Sequence, residues 1–354
     1  MTTQSLIQRK NYWSLDVAKF FCAILIISAH FASEWGTFPT LVDYAFSLYV
    51  IAVPFFFCCS GFLFFKKLNT LNTKEEKFSY FKKYEKRILT MYALWSAVYF
   101  IHIVYTWIIE DKLNLLVILK YIHRTLVFSS YSTIWFLPAL AVGVAITYFL
   151  LTKLNKKQIT VIAVLLYIFS MLGYTYRFAI EGTPIADFYD IYDTLFVSSR
   201  NGVFNGVPFI FMGYCVASEE IKPSVKGFFK YAIPCVVSLI LLVAEAFILK
   251  LKFNVTGMDV GVFVVAFTYF FIMALMHIDL KENKAFLWCR KLSLLIFVSQ
   301  RLFLTMLPAF FPSVFDTIYS NSYLGLVAVI GMTVVFSVLF ILLSKKVKII
   351  QKMI

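Results

Sequence analysis

The amino-acid sequence predicts an all-α polytopic membrane protein, with about ten transmembrane helices around a polar central cavity. The first observation is composition, because 61% of the 354 residues are hydrophobic and only 15% are charged. Soluble domains are about 45–50% apolar and about 25% charged. The second is a mean hydropathy of +0.82. The third is the grouping of apolar residues into runs of about 20, the length that crosses the hydrocarbon layer of a bilayer.

Ten apolar runs follow one another along the chain and define the predicted spans. The segment 112–130 is either an eleventh span or, because it contains Lys120, His123 and Arg124, an interfacial helix. The whole chain, 1–354, is predicted to be one membrane-embedded domain. The spans lie at about residues 13–33, 43–65, 88–109, 133–152, 158–178, 201–219, 228–249, 257–277, 292–310 and 323–344.

The basic residues predict the orientation of these spans. If the N-terminus is cytoplasmic, the inner segments hold 24 of the 33 Lys and Arg residues and the outer segments hold seven. Such an excess on the inner side predicts a multi-pass protein of the cell membrane with both termini in the cytoplasm. It also explains the net charge of +14, so the bilayer, rather than nucleic acid, is the expected partner.

The six cysteines form no CxxC pair and no metal-ligand spacing. Most of them lie inside apolar runs, where a thiol behaves as a small hydrophobic group. We therefore expect neither a disulfide framework nor a metal site. The first apolar run continues beyond the length of a signal peptide without a small-residue cleavage site, so it is predicted to be a retained helix.

The first span carries a stripe of ionisable residues, Asp16, Lys19, His30 and Glu34. Lys19 and His30 are eleven residues apart, which places them about 20° from the same helical face and roughly 16 Å apart along the axis. Asp16 and Glu34 lie three and four residues beyond them on that face. Because charges within a bilayer are costly, the stripe is predicted to face the protein interior and to be functional.

Two interpretations of the stripe remain open. His30 has an imidazole suited to proton transfer, which makes it a candidate catalytic base, and Glu34 is a candidate for orienting its ring. Asp16 and Lys19 either take part in the site or form a structural pair at the inner boundary.

Other polar residues within the spans have structural or undecided interpretations. His102 is expected to be a core histidine with a hydrogen-bond partner. Glu245 and Arg301 are candidates for an ion pair between helices. The inner loop 66–87 holds eight basic residues, which indicates either contact with anionic lipid or a docking surface for a phosphate-bearing cofactor.

Four motifs in order resemble acyltransferase family 3, a family of membrane acyltransferases. Residues 15–19, Leu-Asp-Val-Ala-Lys, are followed after ten further residues by His30. A phenylalanine-rich run, 53–62, ends in Ser-Gly-Phe, and the basic segment 82–87 leads into the next span. The segment 135–140, Trp-Phe-Leu-Pro-Ala-Leu, is similar to a further signature.

This resemblance implies transfer of an acyl group, usually acetyl from acetyl-CoA, to a hydroxyl of an envelope glycan or a small hydroxyl-bearing acceptor. The acyl-CoA would be a co-substrate reached from the cytosol. His30 and Glu34 would be catalytic in this scheme: His30 would act as general base on the acceptor hydroxyl or briefly carry the acyl group itself, and Glu34 would orient its ring. The expected acyl-CoA contacts are Lys19, Asp16, Lys82, Lys83, Lys86 and Arg87, and the expected acceptor contacts are Trp135, Arg200 and Asn201.

The sequence departs from the family pattern in ways that keep other functions open. Lys19 stands where many members have arginine, so bidentate phosphate recognition is lost while a charge remains. Pro54 stands where many members carry aspartate. The Arg-Asn-Gly segment at 200–202 is similar to the membrane half of vancomycin-resistance serine racemases. A transporter or flippase for a small polar solute, such as an amino acid, or for a lipid-linked sugar is therefore the second hypothesis. A structural or sensing module, which explains the buried charges least well, is the third.

Overall fold

The protein is described by a computed structural model covering residues 11–39, 42, 45, 48–255 and 258–354. Arg9 and Lys10, which contributed to the charge count, and the predicted start of the second span at 43 lie outside these residues. Within the described ranges the regular secondary structure is entirely helical.

Fifteen α-helices are defined in the described part of the chain. Single-turn 3₁₀ segments, Leu48–Ile51 and Thr133–Trp135, lead directly into α2 and α5. The helices are α1 (Trp13–Glu34), α2 (Ala52–Leu68), α3 (Lys74–Ile109), α4 (Leu115–Val127), α5 (Phe136–Lys153), α6 (Lys156–Gly173), α7 (Pro184–Phe196), α8 (Val207–Ala217), α9 (Val225–Phe253), α10 (Val262–Met276), α11 (Lys284–Arg301), α12 (Leu307–Phe310), α13 (Pro312–Tyr319), α14 (Ser322–Ser344) and α15 (Lys348–Gln351).

Eight of the described helical stretches are long and apolar enough to cross a membrane, and the shorter apolar stretches Gly202–Ala217 and Val262–Met276 occupy two further predicted positions. The prediction of an all-α polytopic membrane protein is thus confirmed. The helix α4 has 13 residues, or about 20 Å, and none of them is buried. It is too short to be an eleventh span, and its separation into an apolar and a polar face is typical of an interfacial helix.

The predicted inner loop 66–87 is largely helical instead, and so is the segment 179–199, which lies between two predicted spans. Within 66–87, a capping box closes the start of α3, because Thr73 accepts from the Glu76 amide while the Glu76 side chain accepts from the Thr73 amide. Six of the eight basic residues of this segment therefore lie on α3, and the other two, Lys66 and Lys67, lie at the end of α2. Within 179–199, Pro184 begins α7, since its fixed φ and missing N–H suit the first helical turn.

The bundle is held together by helix pairs, chiefly α1 with α11, α2 with α8, and α9 with α10. Glycine permits the close approach of α2 and α8. A Cβ atom at Gly61 would clash with the backbone of Ile210, and one at Gly213 would clash with the carbonyl of Cys58. Small residues at such crossings let helix backbones touch within a membrane, where no hydrophobic force draws helices together.

Two π-helical turns lie at the ends of spanning helices. Gly202–Gly206 precedes α8, and Leu302–Met306 follows α11. An arginine lies close to the start of each turn: Arg200 is two residues before the first, and Arg301 is the N-cap of the second. A π turn inserts an extra residue and rotates the side chains beside it, and such turns are frequent at functional sites.

All six cysteines are free thiols in the structure, and Cys22, Cys58, Cys59 and Cys235 are buried. No disulfide joins any two of these six residues in the structure. The four buried thiols occupy apolar surroundings as small hydrophobic groups, whereas Cys215 and Cys289 are half-buried.

The α2–α8 crossing generates the first prediction. We expect Gly61→Ala and Gly213→Ala each to destabilise the bundle by about 1–3 kcal/mol, because the added methyl group must displace backbone. The measurement is thermal unfolding of purified protein in lipid nanodiscs. The matched control is Gly331→Ala in α14, where a Cβ meets no atom within 4 Å. Equal stability of all three variants would disprove the close crossing.

Candidate active site

The site is centred on His30, near the end of α1, and on Arg301, at the end of α11. The Arg301 guanidinium donates from Nη2 to His30 Nδ1 over 3.2 Å. Its Nη1 forms an ion pair with Glu34 and also lies 3.3 Å from the Thr305 hydroxyl. Arg301 is buried, with 8% of its surface exposed. One cation thus joins both of the side chains that the sequence predicted to be catalytic.

This geometry fixes the chemistry of the imidazole. A guanidinium has donors and no acceptor, so Nδ1 must accept and the ring proton lies on Nε2. The expected direct orientation of the ring by Glu34 is replaced by an indirect one through Arg301. Helical spacing places Glu34 beside His30, but the guanidinium of another helix occupies the space between them.

The expected ion pair between Glu245 and Arg301 is wrong. Glu245 instead accepts hydrogen bonds from the Val262 and Phe263 amides, over 2.7 and 3.1 Å, and from the Tyr176 hydroxyl. It therefore caps the first turn of α10, where backbone N–H groups lack partners within the helix. Arg301 instead forms its ion pair with Glu34, which lies on the adjacent α1.

A second polar cluster lies beside the first. Asp259, in the connection between α9 and α10, accepts from the Tyr49 hydroxyl over 2.7 Å and pairs with Arg200 over 2.5 Å. The rings of Tyr49 and His30 are 6.3 Å apart between centroids, and Arg200 is within electrostatic reach of His30. The two clusters therefore form one network, which we call the His30 network, linking Glu34, Arg301, His30, Tyr49, Asp259 and Arg200.

Arg200 also lies between two aromatic rings. Its guanidinium carbon is 5.0 Å from the Trp135 ring centre and 5.1 Å from that of Tyr174, within the range of cation–π attraction. Burial acts to lower the pKa of Arg200, but the Asp259 carboxylate together with Tyr174 and Tyr49 outweighs burial, and the pKa is raised. Burial, followed by the Asp259 charge, raises the pKa of Tyr174 to about 12. The cation is therefore retained and the phenol keeps its proton at physiological pH.

Asp259 and Tyr49 were not predicted as site residues. A single aspartate in a short connection is indistinguishable by pattern from a solvated loop residue, and Tyr49 is one of 21 tyrosines. The structure holds the Asp259 connection in place through the Tyr167 hydroxyl, which bonds the carbonyl and amide of Gly261 over 2.8 and 3.3 Å. Only the chain fold brings these residues to His30.

The other predicted acceptor contacts lie next to the His30 network. Trp135 is buried beneath Arg200. The Asn201 side chain accepts from the Val203 and Phe204 amides and donates to Tyr192 over 2.8 Å. Asn201 therefore caps the π turn and fixes the position of its neighbour Arg200. Its contact with an acceptor stays a prediction.

The opposite end of α1 carries a separate charge cluster. Asp16 is buried and pairs with Lys19 over 2.9 Å and with Arg290 of α11 over 2.7 Å. Arg290 also lies 4.9 Å from the Trp13 ring centre. The Asp16–Lys19 pair thus exists and joins α1 to α11 through a cation that the sequence analysis did not identify.

The predicted basic surface lies on α3, the helix that begins at Lys74 after its capping residue. All four of its predicted members are exposed, and Lys82 also lies 4.8 Å from the Phe78 ring centre. Their spacing places them on neighbouring turns of one helix. The four are Lys82, Lys83, Lys86 and Arg87.

His102 is a buried histidine with a partner, as predicted. Its Nδ1 lies 3.0 Å from the Tyr131 hydroxyl. Burial raises the pKa of Tyr131 to about 12, so the phenol keeps its proton. His102 therefore has a buried partner, and that partner, Tyr131, lies within electrostatic reach of Arg301 and Glu34.

Comparison with known proteins identifies the family. The sequence model of the family described as "Acyltransferase domain" matches residues 12–342. The chain belongs to this acyltransferase family. The match covers nearly the whole chain and both charge clusters of α1, and it confirms the resemblance carried by the four sequence motifs. Family membership supports a membrane acyltransferase in general.

Curated relatives show a second similarity. The chain is 27% identical over 234 residues to an amino-acid racemase of Enterococcus faecalis, covering 64% of this chain and 31% of that protein. It is 26% identical over 240 residues to a serine/alanine racemase of Enterococcus gallinarum, covering 66% and 32%. The chain spans about a third of the length of these relatives. No solved structure matches the chain.

The Asp16 cluster generates the second prediction. We expect Asp16→Asn to destabilise the protein by about 1–3 kcal/mol, because Lys19 and Arg290 lose their shared acceptor while remaining partly buried. Thermal unfolding in nanodiscs measures the loss. The control is Asp279→Asn, an exposed carboxylate in the connection before α11. A shift no larger than that of the control would show that the Asp16 pairs do not stabilise the bundle.

Proposed function

We propose that this protein is a membrane-bound acyltransferase that moves an acyl group, in the simplest case acetyl, from cytosolic acyl-CoA to a hydroxyl of a cell-envelope carbohydrate or related acceptor. The observation that carries the proposal is the Arg301 bridge between His30 and Glu34. It places a neutral imidazole beside a fixed cation inside the helical bundle of a chain that belongs to an acyltransferase family. A base and an oxyanion-stabilising cation are the two groups that acyl transfer requires.

The acyl donor would approach from the Asp16 end of α1. The exposed basic residues of α3 would attract the CoA phosphates, with Lys as a point charge and Arg as a bidentate partner. Lys19 then lies roughly 16 Å along the helix axis from His30. The extended arm of the donor would pass along this face of α1. In this arrangement the Asp16 end and both termini are cytoplasmic, and the membrane is the cell membrane.

The chemistry follows from the partners of His30. The Arg301 donor must leave Nδ1 before that nitrogen can take a proton, and the ion pair with Glu34 keeps the guanidinium nearby. The acceptor hydroxyl would give its proton to Nδ1 while its oxygen attacks the thioester carbonyl. Arg301 would stabilise the resulting oxyanion. Collapse breaks the C–S bond, the CoA thiolate takes the proton back from Nδ1, and the products are an ester and free CoA.

The acceptor would enter from the side of Arg200 and Trp135. An aromatic ring beneath a cation offers both a flat apolar surface and hydrogen-bond donors, which suits a hydroxyl-bearing ring. Asp259 holds Arg200 in place and Asn201 positions its backbone. We assign acceptor binding to Trp135 and Arg200, with Asn201 acting through Arg200.

A second candidate function is transport of a small polar solute. It is favoured by the names of the curated relatives, which act on amino acids, including serine and alanine. The His30 network would then line a pathway and His30 would carry protons. Hydrolysis or transfer of the acyl group by purified protein distinguishes the two functions, because a transporter leaves acetyl-CoA intact and moves labelled serine into liposomes.

The third prediction concerns His30. We expect His30→Ala to reduce acetyl transfer by at least about 100-fold, because general base catalysis typically contributes 10²–10⁴-fold. The measurement is transfer of radiolabelled acetyl from acetyl-CoA to envelope material by purified protein in nanodiscs. The control is His123→Ala, a histidine exposed on α4. Normal transfer by His30→Ala, with normal folding, would overturn this mechanism.

The fourth prediction concerns the Arg301 bridge. We expect Arg301→Lys to lower kcat about 10²–10³-fold with little change in the KM for acetyl-CoA, because one ammonium replaces a planar fork that contacts two partners. Steady-state kinetics measure the split. The matched control is Arg177→Lys, whose arginine pairs with the exposed Asp190 over 2.5 Å. A rise in KM alone would contradict a role for Arg301 in the reaction step.

A further inference from the structure

A groove opens on the side of the bundle at the His30 end. It has a volume of about 530 Å³, within the range of small-molecule sites. Its walls come from four elements: α4, α5, α7 and the π turn before α8. We call it the lateral groove. Most of its wall is apolar, and the exception of interest is Asn201, which adjoins the His30 network.

The lateral groove faces the hydrocarbon and interfacial part of the membrane. Its rim includes Leu126 of α4 and Phe196 of α7, which are 80% and 44% exposed, and the exposed Val142 of the spanning helix α5. The helices α4 and α7 are amphipathic and too short to cross the bilayer, which is typical of helices lying in the interface. Exposed apolar side chains at this level are covered by lipid rather than by water.

Trp135 separates the lateral groove from the His30 network. On one side Phe128, which lines the groove, stacks nearly parallel to the indole, with 6.1 Å between centroids and 9° between planes. Arg200 also lies over the Trp135 ring. Arg200 pairs with Asp259 through Nη1, and its buried Nε has no hydrogen-bond partner among the described residues. An unpaired buried donor is costly, so an oxygen supplied by a ligand would satisfy it.

We propose that the lateral groove binds the hydrocarbon chain of a lipid-linked acceptor, whose hydroxyl-bearing head group then reaches Arg200 past Trp135. This inference rests on the proposed acyl transfer and names the class of acceptor. The apolar rim matches a hydrocarbon chain, and the free N–H of Arg200 matches a head-group oxygen. The acceptor therefore arrives sideways from the membrane and not from the aqueous phase.

Photolabelling tests the location of the chain. The probe is an alkyl glucoside with a diazirine near the end of its single chain, added to the full-length protein in nanodiscs. We expect labelling to concentrate on Leu126, Val142 and Phe196. A two-chain phosphatidylcholine carrying the same diazirine should label the lipid-facing surface without this concentration. Equal labelling patterns for the two probes would overturn the proposal.

A variant that fills the lateral groove tests whether acyl transfer depends on the groove. We expect Val142→Trp to reduce both probe labelling and acetyl transfer to the alkyl glucoside at least about 10-fold. The matched control is Val161→Trp, which places the same side chain on the exposed face of α6, and thermal unfolding verifies that both variants fold. Unchanged transfer by Val142→Trp would refute the groove as the acceptor site.

A separate measurement distinguishes failure of this inference from failure of the proposed function. Wild-type protein is assayed for acetyl-CoA hydrolysis without acceptor and for transfer to methyl glucoside, which lacks the chain. We expect transfer to the alkyl glucoside to exceed transfer to methyl glucoside at least about 10-fold. Equal transfer to the alkyl glucoside and to methyl glucoside refutes the lipid-linked acceptor but leaves the proposed acyl transfer standing. Absence of both hydrolysis and transfer refutes the acyltransferase and this inference with it.

Discussion

The arrangement of the site depends on one interaction, the Arg301 guanidinium between His30 and Glu34. A charge in the interior of a membrane bundle must be paired and hydrogen-bonded to be tolerated. Arg301 meets that requirement by binding a carboxylate and a neutral ring nitrogen at once. The same interaction joins α1 to α11 and sets the tautomer of the imidazole. Structure and chemistry are therefore determined by the same contact.

Backbone features determine the positions of Arg200 and Arg301. The π turns begin close to Arg200 and Arg301. The first can pack against Ala139 because Gly202 has no Cβ, which would clash with the Ala139 backbone. Asn201 caps that turn and Glu245 caps α10, which carries the Asp259 connection at its start. These residues contact the His30 network only indirectly. They hold the donors and acceptors that form it, which is the positioning that catalysis by a fixed polar environment requires.

The two ends of α1 illustrate two solutions for charge in a bilayer. At one end, Asp16 is shared by Lys19 and Arg290, and none of these three side chains has a buried polar atom without a partner among the described residues. At the other end, Arg301 retains a buried Nε without a partner among the described residues, and His30 keeps an ionisable ring. The first arrangement leaves no such buried atom among the described residues, whereas the second leaves the buried Nε of Arg301 as donor capacity for a ligand. This difference separates the stabilising end from the candidate reactive end.

The sequence by itself determined the class of fold, the positions of the ten apolar stretches and the polar stripe on α1, because hydrophobic length and helical spacing are local properties of the chain. It also singled out His30, Trp135 and Arg200 through their motifs, and Glu34 through its helical spacing from His30. Tertiary structure alone decided which charges meet. It paired Arg301 with Glu34 rather than Glu245, and it brought Asp259, a loop residue of no distinctive pattern, onto Arg200. Pairing between helices depends on their rotation and on π turns, and neither leaves a periodic signal in the sequence.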